Sequence, residues 1–261
     1  MTTIAPRPRL GGLTAEAVFI GRSLKHTLRD AESMLMSIAL PVLMMLMFTY
    51  VFGGAIDPSG GYVDYVVPGT ILTCAGFGAA TTATFVANDM TGGIIDRIRT
   101  MPLRPGAALT GHVVASLTRN LVATGVVFLV AVAIGFRPTA TPLEWLGTFA
   151  VIALWIFAIT YLFAAIGLAS GSAEAASGYG FILLFLPYVS SGFVPTDTMP
   201  DWLRVFAEVQ PVTPVIETMR ALLVGTDPGG APLIAVAWCV GIVIVAAVWG
   251  AWLFRHKAGR R

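Results

Sequence analysis

Long apolar runs separated by short polar stretches set the pattern of this chain. Intervals free of Asp, Glu, Lys and Arg fall at 33–56, 65–88, 120–136, 145–173, 175–196 and 228–254. A bilayer core about 30 Å thick is crossed by roughly 20 apolar residues in a helix, and charge within it is costly. The pattern therefore predicts six transmembrane helices. The third interval reaches that length only when it is extended back through Arg119 and His112 toward Leu109, and it is read that way.

Two further stretches carry helical periodicity without the apolarity of a span. Before the first span, Leu13, Ala17, Ile20, Leu24 and Leu28 recur at spacings of three and four, with Arg22, Lys25, His26 and Arg29 on other faces. Such a basic amphipathic helix is expected to lie in the membrane interface, its cations toward lipid phosphates. Between the fifth and sixth spans runs SGFVPTDTMPDWLRVFAEVQPVTPVIETMRALLVG. Trp202, Phe206 and Val209 form one stripe there, and Val215, Met219, Leu222 and Leu223 another, with Pro211 and Pro214 interrupting the two pieces. This predicts an outer re-entrant helical hairpin that also includes Pro195, Pro200 and Arg220, the alternative being an ordinary extracellular loop with interfacial aromatics. The expected organisation is a tail and interface helix over 1–32, a single six-span domain over 33–254 and a basic tail over 255–261. The fold class is that of an all-α polytopic membrane protein.

Composition agrees with this pattern: 56% of the 261 residues are apolar and 11% charged, against roughly 25% charged in soluble domains. The net charge of +2 says little, but its distribution sets an orientation. Cations are retained on the cytoplasmic side of short loops. Arg7, Arg9, Arg22, Lys25 and Arg29 precede span 1, Arg97, Arg99 and Arg104 follow span 2, and Arg255, Lys257, Arg260 and Arg261 follow span 6. These are twelve of the sixteen cations, so both termini are expected in the cytoplasm, and the partner of the basic surface is expected to be membrane lipid, not nucleic acid. Segments 53–64 and 195–228, richer in acids than in cations, then face outward. The first apolar run begins only after 32 residues and an amphipathic prefix, so span 1 is expected to stay in the mature protein.

Several chemistries are excluded. The two lysines, Lys25 and Lys257, are not preceded by glycine, so no phosphate-binding GxxxxGK[ST] loop is present. No HExxH occurs, and His26, His112 and His256 are far apart in sequence. Cys74 and Cys239 fall inside expected spans and are given no chemistry. The chain is not expected to be an enzyme by itself, to bind a metal or to bind a cofactor of its own. Intramembrane polar groups mark function by default. His112, Ser116, Arg119 and Asn120 share one face of span 3, which either lines a vestibule or subunit seam or has Arg119 reaching toward phosphates while its neighbours satisfy adjacent helices. Gly76 and Gly78, and Gly167 with Gly171 as GxxxG, allow close approach of helices within the chain.

One polar stretch stands between two apolar runs: NDMTGGIIDRIRTMPLRP, 88–105. Asn88 or Asp89 can cap a helix, Gly92 and Gly93 allow a tight exit from span 2, and Met101-Pro102 ends the helix. Between them Ile94, Ile95, Ile98 and Met101 form an apolar stripe flanked by Asp96, Arg97 and Arg99, a shape suited to a groove on a cytosolic partner.

This stretch resembles the cytoplasmic loop of type-2 ABC exporter permeases, particularly the daunorubicin-resistance type, through Asp89, Gly92 or Gly93, Ile94-Ile95-Asp96-Arg97 and Pro102-Leu103-Arg104. A second signature is similar to the same family: Gly192-Phe193-Val194-Pro195, Met199-Pro200-Asp201-Trp202-Leu203, Pro211-Val212-Thr213-Pro214 and Arg220-Ala221-Leu222-Leu223, ending at Gly225. Family members often carry a glutamate where this chain has Asn88-Asp89. The resemblance implies a permease subunit that pairs with a second copy of itself or a related permease and with two ABC ATP-binding subunits, which hold ATP and Mg. It further implies that the prefix is an elbow helix and that 89–104 is a cytoplasmic coupling helix. The expected cargo is a hydrophobic or amphipathic drug or natural product, with lipid or lipid-linked glycan as the alternative. A non-transporting membrane anchor for a cytosolic ATPase is a further reading, and a proton-coupled carrier is disfavoured because Glu144 and Glu174 stand only at span ends.

Overall fold

A computed structural model describes residues 31–58, 60–91 and 107–257. The interface helix expected between Leu13 and Leu28, the stripe from Ile94 to Met101 and the tail 258–261 lie outside the described residues. Among the described residues the secondary structure is helical, with no strand. The long elements are α1 (Ala31–Met47), α2 (Tyr62–Thr91), α3 (Ala107–Ala133), α4 (Pro142–Ala169), α5 (Ala173–Leu183), α6 (Asp201–Val209), α7 (Val212–Val224) and α8 (Ala231–Lys257).

Local chemistry explains where these helices bend and stop. Pro41 inside α1 lacks the N–H that would bond the Ser37 carbonyl, and the Cys74 thiol of α2 donates to that freed oxygen at 3.5 Å. Beyond Met47 the helix widens into a π-helical turn, Phe48–Phe52, and closes with one α-turn, Gly53–Ile56. At the end of α3, Gly135 takes φ +119° with its N–H on the Val132 carbonyl, and the Arg137 guanidinium donates to the Val132 and Phe136 carbonyls at 2.7 and 2.9 Å, bracing the turn that follows. α4 begins with a capping box: Thr141 Oγ1 accepts from the Glu144 N–H, Glu144 Oε2 accepts from the Thr141 N–H at 2.6 Å, and Pro142 stands in the first turn. Gly225, at φ +81°, ends α7 with its N–H on the Ala221 carbonyl.

Among the described residues five helices are long and apolar enough to cross a membrane: Ser37–Ile56, Tyr62–Thr91, Ser116–Ala133, Pro142–Ala169 and Ala231–Leu253. The expected fifth span, 175–196, is not one continuous helix. α5 ends at Leu183, a 3-10 turn follows at Leu186–Val189, and the backbone is then irregular to Pro195. Pro187 has no N–H for the Leu183 carbonyl, which breaks the helical ladder. Side chains supply the missing bonds: Ser190 Oγ donates to the Pro187 carbonyl at 2.5 Å and accepts from the Gly192 N–H at 3.1 Å.

α2 is the central helix, packed by α1, α3, α4, α5 and α7. Its close approaches need glycine. A β-carbon at Gly69 would lie within 2.8 Å of the Gly192 backbone, and one at Gly78 would occupy the space of the Asn120 side chain. On α4, Gly167 rests against the Ala83 carbonyl, whereas Gly171 lies beyond the end of the helix and faces open space. α8 joins α4 through Ala235, Cys239, Ala246, Gly250 and Leu253, a mostly small-residue stripe at helical spacing. Its bulky residues, among them Leu233, Ile244, Val248 and Trp252, point outward. Small residues inside and large apolar ones outside suit a lipid surround and would be unfavourable in water.

Candidate functional site

Polar chemistry in this hydrocarbon bundle gathers at two places, and an arginine lies at the centre of each. Both arginines are pressed against α2.

The first cluster joins α3 to the middle of α2. Arg119, only 5% exposed, sends Nη2 to the Gly78 carbonyl at 2.9 Å and to Thr81 Oγ1, with its guanidinium 5.5 Å from the Phe85 ring centroid. One turn away, Ser116 Oγ accepts from Thr82 Oγ1 at 2.8 Å and from Asn120 Nδ2 at 3.3 Å. The absence of a side chain at Gly78 makes room for Asn120. Ser116, Arg119 and Asn120 are thus brought together and buried between two helices of one chain, and the guanidinium turns into α2 instead of running along α3 toward headgroups. The His112 side chain lies outside the described residues.

The second cluster lies at the start of α2. Arg220, on α7 and 6% exposed, donates through Nη2 to the Tyr65 carbonyl at 3.1 Å and to the Ser191 carbonyl at 2.8 Å, and through Nη1 to Glu217 at 2.8 Å. Its guanidinium sits 3.9 Å from the centroid of the Tyr65 ring, a cation–π contact. The Tyr62 hydroxyl donates to the Phe193 carbonyl at 2.6 Å, and Thr213 Oγ1 accepts from the Ser191 N–H. Gln210 Nε2 reaches the Leu186 and Val189 carbonyls at 3.3 and 3.0 Å. The irregular segment after α5 is therefore held by bonds to α2, to α7 and to the turn before α7.

The hairpin residues divide between two environments. α7 is buried nearly all round, Pro214 included, and packs on α2, α4 and α8. α6 presents Trp202, 75% exposed, with Val205, Phe206 and Val209 on an uncovered face, while Ala207 is buried. On its polar side Arg204 Nε pairs with Glu208 Oε1 at 2.8 Å, which holds the guanidinium above its ordinary pKa. Pro200 and Pro211 precede the first residues of α6 and α7, and Pro195 precedes the 3-10 turn Thr196–Thr198. Asp89 stands half-buried in the last turn of α2. Gly92, Gly93, Ile94, Ile95, Asp96, Arg97, Ile98, Arg99, Met101, Pro102 and Arg104 lie outside the described residues.

Sequence reasoning missed the partners. Gly69, Thr81, Thr82, Tyr62, Tyr65 and Ser191 complete these clusters, yet in sequence they are small or mildly polar residues of ordinary spans or, for Tyr62, of the outer segment before span 2. A weak signal was present: Gly78, Thr81 and Thr82 interrupt the apolar run of span 2 within five positions.

The chain matches the ABC-2 type transporter family over residues 16–224, most of its length. It belongs to that family. This ABC-2 chain is 30% identical over 224 residues to the daunorubicin resistance ABC transporter permease protein DrrB1 of Streptomyces coeruleorubidus, covering 84% of this chain and 78% of that one. It is 27% identical over 265 residues to the probable doxorubicin resistance ABC transporter permease protein DrrC of Mycobacterium tuberculosis, covering 94% and 92%. The resemblance to drug-resistance permeases drawn from two sequence signatures is borne out. With five long apolar helices among its described residues, this ABC-2 chain is a multi-pass membrane protein, the transmembrane component of an ABC transporter system.

Proposed function

We propose that the chain is the permease subunit of an ATP-driven exporter that carries a hydrophobic or amphipathic drug or natural product out of the cell. The observation that carries the reading is the family match over 16–224, which runs through both signature segments, together with relatives whose names declare daunorubicin and doxorubicin resistance. In this reading the energy comes from two ABC ATP-binding subunits, which hold ATP and Mg, and the path forms with a second copy of the chain or a related permease. Residues 89–104, from Asp89 to Arg104, are the coupling helix: Ile94, Ile95, Ile98 and Met101 enter a groove on the ATP-binding subunit, with Asp96, Arg97 and Arg99 at its rim. The prefix 1–32 is the elbow helix on the inner leaflet, 33–254 the membrane domain and 255–261 a basic tail.

In this reading the chain crosses six times, which keeps both termini on one side, and the cation-rich segments make that side the cytoplasm. The fifth crossing in chain order, added to the five long apolar helices, is α5 with the turns after it. Its 17 residues, Ala173–Val189, span about 25 Å if fully helical, short of a bilayer core. Irregular backbone is tolerated at membrane depth only where protein buries it, and Ser190, Ser191, Gly192 and Phe193 are buried. That observation favours a crossing completed by the 190–195 segment, with α6 and α7 on the outer side.

The test is uptake of daunorubicin into inside-out membrane vesicles that hold the chain and a co-expressed ABC ATP-binding subunit. Uptake that requires ATP and both chains is expected. Equal uptake without the ATP-binding subunit would overturn the proposal.

A further inference from the structure

We infer that Arg119 and Arg220 are positioning residues that make α2 a rigid rod between the 92–106 segment and the α6–α7 hairpin. The inference rests on the reading of that segment as the docking surface for an ATP-binding subunit, and adds how a displacement there reaches the far side of the membrane. α2 has 30 residues and is about 45 Å long. It ends at Thr91, immediately before the segment. Arg119 grips the carbonyl of Gly78, and Arg220 grips the carbonyl of Tyr65. Tyr65, Gly78 and Thr91 are thirteen residues apart in turn, so the two grips and the helix end are spaced by about 20 Å each.

A guanidinium in hydrocarbon is unfavourable, and an apolar side chain would fill either space, so packing alone does not account for two buried arginines on one helix. Direction does. Apolar helix contacts slide by small rotamer changes, whereas a hydrogen bond weakens steeply once its distance and angle leave a narrow range. Arg119 ties α2 to α3, the helix that leaves the same segment, and the Thr82–Ser116 bond repeats the tie one turn away. The two helices flanking the segment are thereby joined at the level of the membrane middle. Arg220 ties the start of α2 to α7 and to the Ser191 carbonyl, across the turn weakened by Pro68. Gly69 against Gly192 adds a backbone contact at the same level. Motion of the segment is thus passed through α2 as a unit and delivered to α7 and the 190–193 turn.

The experiment uses the full chain with its ABC ATP-binding subunit in liposomes, with Asp201→Cys labelled by a membrane-impermeant maleimide in the presence or absence of ATP. The unsubstituted complex is expected to change its labelling rate with ATP. Arg119→Met and Arg220→Met are each expected to lose that change while ATP turnover continues. A Thr82→Cys, Ser116→Cys disulfide, which closes the same α2–α3 contact covalently, is expected to restore it in the Arg119→Met protein. Persistence of the ATP response in either methionine variant overturns the inference, as does a formed disulfide that restores nothing. Loss of the response together with assembly or ATP turnover assigns the arginines to folding and overturns it too. A complex with no ATP response before substitution overturns the coupling reading itself.

Discussion

A β-carbon added at Gly167 would lie 2.5 Å from the Ala83 carbonyl oxygen, whereas one at Gly171 meets nothing within 4 Å. The contacted atom is backbone, which cannot turn aside, so Gly167→Ala must push α4 from α2. Overpacking of this kind costs about 1–3 kcal/mol. Gly167→Ala is expected to lower the melting temperature of the detergent-solubilised protein, and Gly171→Ala to leave it unchanged; equal effects would show that the α2–α4 contact is misdrawn. The GxxxG spacing alone could not tell the two glycines apart, because it shows neither that α4 ends at Ala169, before Gly171, nor that Ala83 lies opposite Gly167. Arg220 shows the same boundary. Its place on a periodic stretch was readable, but its burial against Tyr65 depends on residues 155 positions away. Asn120 was readable as an intramembrane polar group, whereas the absent side chain at Gly78 that admits it has meaning only once the helices are packed.

Among the elements, the long spans were legible because length and apolarity are local quantities. The expected 65–88 and 145–173 correspond to α2 and α4, and 228–254 to α8, with ends shifted by a few residues where caps such as Thr141 and Glu144 extend a helix beyond its apolar run. Segment 175–196 is equally apolar, but the break at Pro187 and the turn at Ser190 to Gly192 are backbone events that an apolarity window averages away. The hairpin was half legible. α6 matches its exposed aromatic stripe, while α7 is buried on faces whose residues, such as Thr213 and Thr218, do not read as apolar. Thr213 is accommodated by bonds to Ser191 and Ala207, and Thr218 by its bond to the Pro214 carbonyl. Orientation is a property of elements too. Single cysteines replacing Asp227, after α7, and Arg99, in the segment between α2 and α3, are expected to react with impermeant reagents from outside and inside the cell respectively. Reaction of both from one side would remove the six-crossing arrangement.

Across the whole molecule, bulky apolar side chains cover the outside, while the centre combines glycine, alanine and threonine with buried Ile71, Leu72, Ile156 and Met219 and, among the described residues, two buried arginines; α2 packs on α1, α3, α4, α5 and α7. Such a body carries no GxxxxGK[ST] loop in its sequence, and in the proposed function its energy comes from a partner. The family match covers α1 to α7 and the polar segment between α2 and α3 alike, and ends before α8. In the proposed function this segment, through the Ile95 stripe and Arg97, joins the permease to its ATP-binding subunit. Co-purification tests it most directly: the intact chain and an Ile95→Asp, Arg97→Glu chain are each isolated from membranes with a co-expressed ABC ATP-binding subunit. The account predicts that the intact chain retains the subunit and that the altered chain, inserted at equal level, loses it. Retention of the subunit by the altered chain, or its absence from the intact one, would contradict the account.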